Sequence, residues 1–166
     1  QELTNLVIPY MRKQKSGRII YNSSILGFVA MSYRGAYNAS KFAIEGLADT
    51  LRLELHKSGV EVVLIEPGPI RSDFRKNALA KFLEHIDQEH SAHSDVYAKT
   101  LARLQKSGDA PFTLGSEAVL EVLIRAIEAQ NPKARYGVTF PTKLFAWLKR
   151  FLSTRLLDTI ARKASE

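Results

Sequence analysis

The sequence predicts an α/β fold built on a parallel, doubly wound sheet, and three observations carry that prediction. Strand-like runs at residues 18–22, 60–65 and 135–140 are separated by long stretches of helical periodicity, the spacing that crossovers between parallel strands require. The second run, Val60-Glu61-Val62-Val63-Leu64-Ile65, is β-branched and nearly continuous in apolar character, as a strand covered on both faces must be. Serines follow the first run and a Pro-Gly turn follows the second, at the carboxyl ends where open α/β sheets hold their ligands.

Taken in order, residues 1–15 place Leu3, Leu6, Val7, Tyr10 and Met11 at helical spacing and end in Arg12, Lys13 and Lys15, cations that complement a helix carboxyl end. Ser16-Gly17 stops this helix, the first strand follows, and Ser23 and Ser24 fall at its end. Residues 25–36 read as a loop in which Leu26, Phe28, Val29 and Met31 either line an apolar pocket or pack beneath the chain. From Ala36 a long helix begins, with Ala43, Ile44, Leu47, Ala48, Leu51 and Leu55 as its apolar stripe and Glu45, Asp49, Arg52, Glu54 and Lys57 facing elsewhere. Ser58-Gly59 is a normal stop for it. The second strand ends in Pro67-Gly68-Pro69, which removes two backbone donors and forces a turn.

Residues 73–114 have mixed charge, with helical hints at 77–86 and 96–106 and a loop at 107–111. Their Glu84, His85, Asp87, Glu89, His90, His93 and Asp95 match no compact zinc or oxygen-ligand spacing, so a solvated surface is expected there and no metal site. Ser116 and Glu117 open a helix carrying Val119, Leu120, Leu123, Ile124 and Ile127, stopped by Asn131-Pro132, and the last strand follows. Beyond Pro141 a basic, amphipathic helical tail at 142–166 carries Trp147, Phe151, Leu152 and other apolar residues among its cations.

The 166 residues suffice for one domain with a core, and 45% hydrophobic with 25% charged residues is ordinary for a soluble protein. Without cysteine, disulfides and thiolate chemistry are excluded, and the compartment expected is the cytoplasm. No window approaches eighteen apolar residues, no charged leader opens the chain, and the missing initial methionine points to a beginning cut short. Net charge is +7, and the tail contributes six cations against two carboxylates. An anionic partner would suit that balance, but no recognition motif accompanies it, so nucleic acid is not expected.

The residues that carry chemistry are Ser24, Tyr37 and Lys41, thirteen and four residues apart. Positions i and i+4 share a helix face, so the Lys41 ammonium would sit beside the Tyr37 phenol and favour its ionised form. A phenol ordinarily titrates near ~10, and a base usable near neutrality needs roughly 4 kcal/mol of differential stabilisation. One cation about 4 Å away supplies energy of that order at an effective dielectric of ~20. Ser24, on the loop after a strand, would donate a hydrogen bond to the oxygen on which charge develops.

Asn22-Ser23-Ser24, Tyr37-x-x-x-Lys41 and Pro67-Gly68-Pro69-Ile70-Arg71-Ser72 together resemble the second half of a short-chain dehydrogenase/reductase, over roughly residues 1–140. The resemblance implies the carboxyl-terminal half of a Rossmann-type domain at 1–141, with a substrate lid near 73–114. It implies NAD or NADP as cofactor, with Ser24, Tyr37 and Lys41 catalytic. Tyr37, Lys41, Pro67, Gly68, Ile70 and Ser72 would face the cofactor, Ser72 keeping a hydroxyl where the family usually has threonine. An alcohol and a ketone or aldehyde would be interconverted. Leu26, Phe28, Met31 and Phe74 point to a hydrophobic small-molecule substrate. The helix at 36–57 would pair subunits into a homo-oligomer.

The family's Gly-rich phosphate-binding turn, its Asn-Asn-Ala-Gly stretch and a further catalytic asparagine do not occur here, so the chain alone is expected to be inactive. A non-catalytic interaction or dimerisation module that keeps the scaffold is the alternative, opposed by the intact Ser-Tyr-Lys trio. For the tail, packing on the domain or a partner subunit stands beside peripheral contact with a membrane surface.

Overall fold

A computed structural model describes residues 1–105 and 108–165. The chain divides into two compact units, one formed by residues 1–68 with those from 117 onward and the other by residues 69–116.

In the first unit, α1 (Glu2–Lys13) leads into β1 (Gly17–Asn22), and a 3₁₀ turn at Ile25–Gly27 precedes α2 (Gly35–Glu54). Then come β2 (Val60–Glu66), α5 (Glu117–Glu128), β3 (Arg135–Gly137), α6 (Phe140–Phe151) and α7 (Thr154–Ser165). The strands form one parallel sheet in the order β1-β2-β3, as the sequence predicts. Register runs from Gly17 opposite Val60 to Asn22 opposite Ile65, and from Leu64 opposite Arg135 to Glu66 opposite Gly137.

Alternation along the strands separates two faces. Ile19, Val60, Val62 and Leu64 pack with Ala48 and Leu51 of α2 and with Leu55 just after it, and Ile8 and Met11 of α1 join that cluster. Helix α5 packs on β2 through a side that buries Val122 and Ala126. Arg18 of β1 donates to the carbonyl oxygens of Ala126, Ile127 and, at 2.8 Å, Ala129, giving carbonyls that lack a donor at the carboxyl end of α5 both hydrogen bonds and a cation.

Three expectations change. The stripe read on α1 is partly turned: Leu3, Leu6 and Tyr10 are exposed, Met11 meets the core as read, and Ile8 joins it there while Thr4 is buried. On α2, Glu45 is buried rather than facing away, and Ala43 is exposed. The last strand ends at Gly137 instead of residue 140. Val138 still donates to the Glu66 carbonyl at 3.1 Å, but Pro141 in the first turn sets φ for a helix and needs no donor there, so Phe140 opens α6.

The second unit holds α3 (Phe74–His85) and α4 (Ser94–Gln105), which pack together with Phe82 and Tyr97 edge to face at 5.8 Å. Pro69 and Arg71 exchange backbone hydrogen bonds with Leu114, and the Arg71 guanidinium pairs with Asp109. The helix expected at 96–106 and the loop at 107–111 include Lys106 and Ser107, which lie outside the described residues. Among the described residues no three His, Asp or Glu side chains are grouped to hold a metal ion, and His90 instead pairs with Asp87 at 3.2 Å.

Candidate active site

The loop after β1 is tied to the turn after β2. Ser23 N–H donates to the Ile65 carbonyl and Ile25 N–H to the Pro67 carbonyl, both at 2.8 Å. Ser24 is extended and buried, and its Oγ accepts from the Leu26 amide at 3.1 Å, capping the 3₁₀ turn. That bond uses a lone pair of the hydroxyl and leaves its hydrogen available to donate.

Tyr37 and Lys41 stand one turn apart near the start of α2. Tyr37 packs against the cluster built from Ile25, Leu26, Val29, Phe145 and Ala161, to which the 3₁₀ turn after Ser24 contributes its first two residues. Lys41 Nζ lies 5.7 Å from the centre of the Tyr37 ring and donates to the Asn22 carbonyl at 2.9 Å. Burial pulls the Lys41 pKa below its ordinary value, while the negative charge of Glu45 one turn further on opposes that fall.

Behind this pair lies a charge cluster that the sequence reading did not identify, with Glu45 and Glu66 buried and Arg135 and Asp49 reaching solvent. Arg135 of β3 stands 3.1 Å from Glu45 and 2.8 Å from Asp49, both on α2, and its Nε is 3.1 Å from Glu66 Oε1 at the end of β2. The Glu66 contact has ion-pair separation without hydrogen-bond alignment, and its Oε1 is buried with no hydrogen-bond partner among the described residues. Burial and the neighbouring Glu45 therefore outweigh Arg135, and the Glu66 carboxyl is pushed up to about 7. A signal existed in the sequence: Glu66 is a charge at the end of an otherwise apolar strand, directly before Pro67. Gly27 belongs to the same arrangement, since a Cβ there would fall 2.6 Å from Ser23 Oγ and 2.8 Å from Glu45 Cγ.

Of the residues expected at a cofactor, Pro67 and Gly68 end the first unit, and Gly68 faces the hydroxyls of Thr139 and Thr142 so closely that no side chain fits. Ile70 and Ser72 lie in the second unit, where Ile70 bridges Leu114 and Ser72 Oγ accepts from the Phe74 amide at 3.3 Å. Of the expected substrate residues, Leu26, Phe28 and Met31 share one apolar cluster with Tyr37, and Phe145, Leu157, Ile160 and Ala161 of α6 and α7 close it. Phe74, in the second unit, is exposed at the start of α3. Phe28 also borders a cavity of about 260 Å³ with Phe42, Lys149, Leu152 and Leu157. A larger groove of about 390 Å³ lies along α4 and holds none of the motif residues.

Fold and site define an α/β protein with a Ser-Tyr-Lys set at the carboxyl edge of a parallel sheet. A family model described as short chain dehydrogenase matches residues 1–82. YbbO of Escherichia coli, an uncharacterised oxidoreductase, is 39% identical over 159 residues, covering 96% of this chain and 53% of that protein. The 3-ketodihydrosphingosine reductase of Bacteroides thetaiotaomicron is 32% identical over 160 residues, covering 94% of this chain and 56% of the reductase. Among solved structures, a short-chain dehydrogenase/reductase of Burkholderia phymatum in complex with NAD shares the fold, with a TM-score of 0.61 and 23% identity over 88% of this chain and 50% of its own. The chain belongs to the short-chain dehydrogenase/reductase family. It spans about half the length of the curated relatives it matches.

Proposed function

We propose that the longer protein in which this chain lies is a nicotinamide-dependent oxidoreductase that interconverts an alcohol and a ketone or aldehyde on a hydrophobic substrate. The observation that carries the reading is Lys41, whose ammonium lies beside the Tyr37 ring and donates to the Asn22 carbonyl at the carboxyl end of β1. This donor set fits a nicotinamide dinucleotide. Lys41 is partly exposed and directs one of its three N–H groups at Asn22, which leaves two for ribose hydroxyls, and Gly68 presents backbone at the end of β2. Such a cofactor, when bound, supplies or accepts the hydride.

The chain's own residues handle the proton. In the reducing direction the Tyr37 hydroxyl gives its proton to the substrate carbonyl oxygen, and in the oxidising direction its oxygen takes the proton of the alcohol. Lys41 keeps a positive charge beside the phenol through that transfer. Ser24, with a lone pair engaged by the Leu26 amide, turns its hydrogen toward the same substrate oxygen. Leu26, Phe28 and Met31, walled by Phe145, support an apolar substrate, and a relative named for reducing a 3-keto group supports the carbonyl assignment. The exposed small residues Ala36, Ala39, Ala43 and Gly46 give α2 an outward face that suits pairing with a second copy.

Replacing Tyr37 by phenylalanine in the longer protein should cut turnover by about 100-fold or more and leave nicotinamide affinity nearly unchanged, read by steady-state kinetics and cofactor fluorescence. Turnover comparable to wild type would sink the assignment.

A further inference from the structure

Helix α6 has two apolar sides, and only one is used by the fold. Thr142 and Phe145 are buried, and Lys149 reaches from the same side to the Phe28 carbonyl at 2.7 Å and over the Phe42 ring. Leu144, Trp147 and Phe151, spaced three and four residues apart, share the other side. All three are exposed, from 38% at Leu144 to 68% at Phe151. The Trp147 and Phe151 rings lie 4.9 Å apart, so two of the largest apolar side chains cover each other in solvent. Leu156 of α7 is exposed as well.

The charge around this stripe has one sign. Lys143 and Arg150, each one residue before a member of the stripe, border it, Arg155 follows on α7, and all three are exposed. Between Glu128 and Asp158 the chain contains no acidic residue. A twelve-residue helix is only about 18 Å long, and three partly exposed side chains offer on the order of 300 Å² of apolar surface. A stable protein interface takes about 800 Å² from each partner and depletes charge at its centre. Aromatic side chains bordered by cations are instead what the boundary between headgroups and acyl chains accepts, with the rings in the boundary and the cations on anionic headgroups.

We propose that α6 is a membrane-docking helix that seats Leu144, Trp147 and Phe151 in the interface of an anionic lipid bilayer, with Lys143, Arg150 and Arg155 on the headgroups. No helix among the described residues is long and apolar enough to cross a membrane, so the contact is peripheral. It rests on the surface of α6 and not on the oxidoreductase reading, and its test does not depend on turnover.

The experiment is flotation of the full-length protein with vesicles of phosphatidylcholine alone and with about 30 mol% phosphatidylglycerol, at low salt and near 0.5 M salt. The protein should float with the anionic vesicles, weakly with the neutral ones, and less at high salt. Trp147→Ala with Phe151→Ala should lower the partition coefficient on anionic vesicles by about tenfold or more, and Lys143→Glu with Arg150→Glu should do the same. Both pairs are exposed, and circular dichroism checks that the variants stay folded. Equal flotation with both vesicle types, flotation unchanged in both variants, or a variant that alters oligomer mass while vesicle binding stays the same would overturn the proposal. The last outcome would mean that the stripe meets another copy of the chain.

Discussion

Strand β2 buries six of its seven residues, whereas α3 and α4, twelve residues each, bury none. In the first unit, side-chain position is set by close packing on a sheet, and two carboxylates, Glu45 and Glu66, are buried with it. The second unit is held by surface contacts such as the Arg71 pair with Asp109, the Arg75 donation to the Gly108 carbonyl at 2.7 Å, and the Phe82–Tyr97 ring pair. The same change of residue should therefore mean different things in the two places. Buried atoms are lost against neighbours that cannot refill the space, while exposed ones are replaced by water.

The largest effect expected on stability is at Leu64, which is 1% exposed and packs with Val62, Ile19 and Leu51. Leu64→Ala should cost about 2–5 kcal/mol in denaturant unfolding. A loss below about 1 kcal/mol would break the comparison by showing that the core can collapse onto the gap.

Glu66 sharpens the comparison, because it tests a charge inside the packed unit. Its carboxyl is raised from 4.5 to about 7, so between those values the folded chain holds a proton that the unfolded chain releases. Stability contributed by this group is present below about 4.5 and is lost as pH rises through about 7. Glu66→Gln keeps the shape without the titration. Its advantage over the wild-type chain should thus grow across that window, toward a limit of about 3 kcal/mol. Unfolding midpoints measured at several pH values would show it, and a difference independent of pH would assign Glu66 to a fully compensated ion pair.

At the small end stands Leu83 of α3, 54% exposed. Leu83→Ala should change stability by no more than about 0.5 kcal/mol. If it costs as much as Leu64→Ala, α3 is covered by something outside the described residues and the contrast between the units fails.

Much of this was legible in the residues themselves. The nearly continuous β-branched and apolar run of β2 and period 3.6 along α2 name those elements, because a strand covered on both faces needs apolar residues throughout and a helix imposes its repeat on the side it buries. The four-residue step from Tyr37 to Lys41 likewise places an ammonium beside a phenol on any helix, and the structure has Lys41 at 5.7 Å from that ring. A repeat does not say which side turns inward when a helix has two candidates. On α1, Leu3, Leu6, Val7, Tyr10 and Met11 form the better apolar stripe, yet Leu3, Leu6 and Tyr10 are exposed, and Met11 meets the core in company with Ile8.

The burial of Glu45 was beyond local reading for a related reason: its partner Arg135 is 90 residues away and arrives only when β3 joins β2. The Asn22 carbonyl under Lys41 and the closure of Leu26 by Phe145 likewise depend on neighbours that folding brings together. The sequence by itself determined the elements and the chemical types they present, since these follow from backbone geometry and side-chain spacing over one or two turns. Tertiary structure alone decided which charges are enclosed, which apolar faces are left to solvent and what stands beside the reactive groups, because desolvation and pairing depend on neighbours that folding brings from far along the chain.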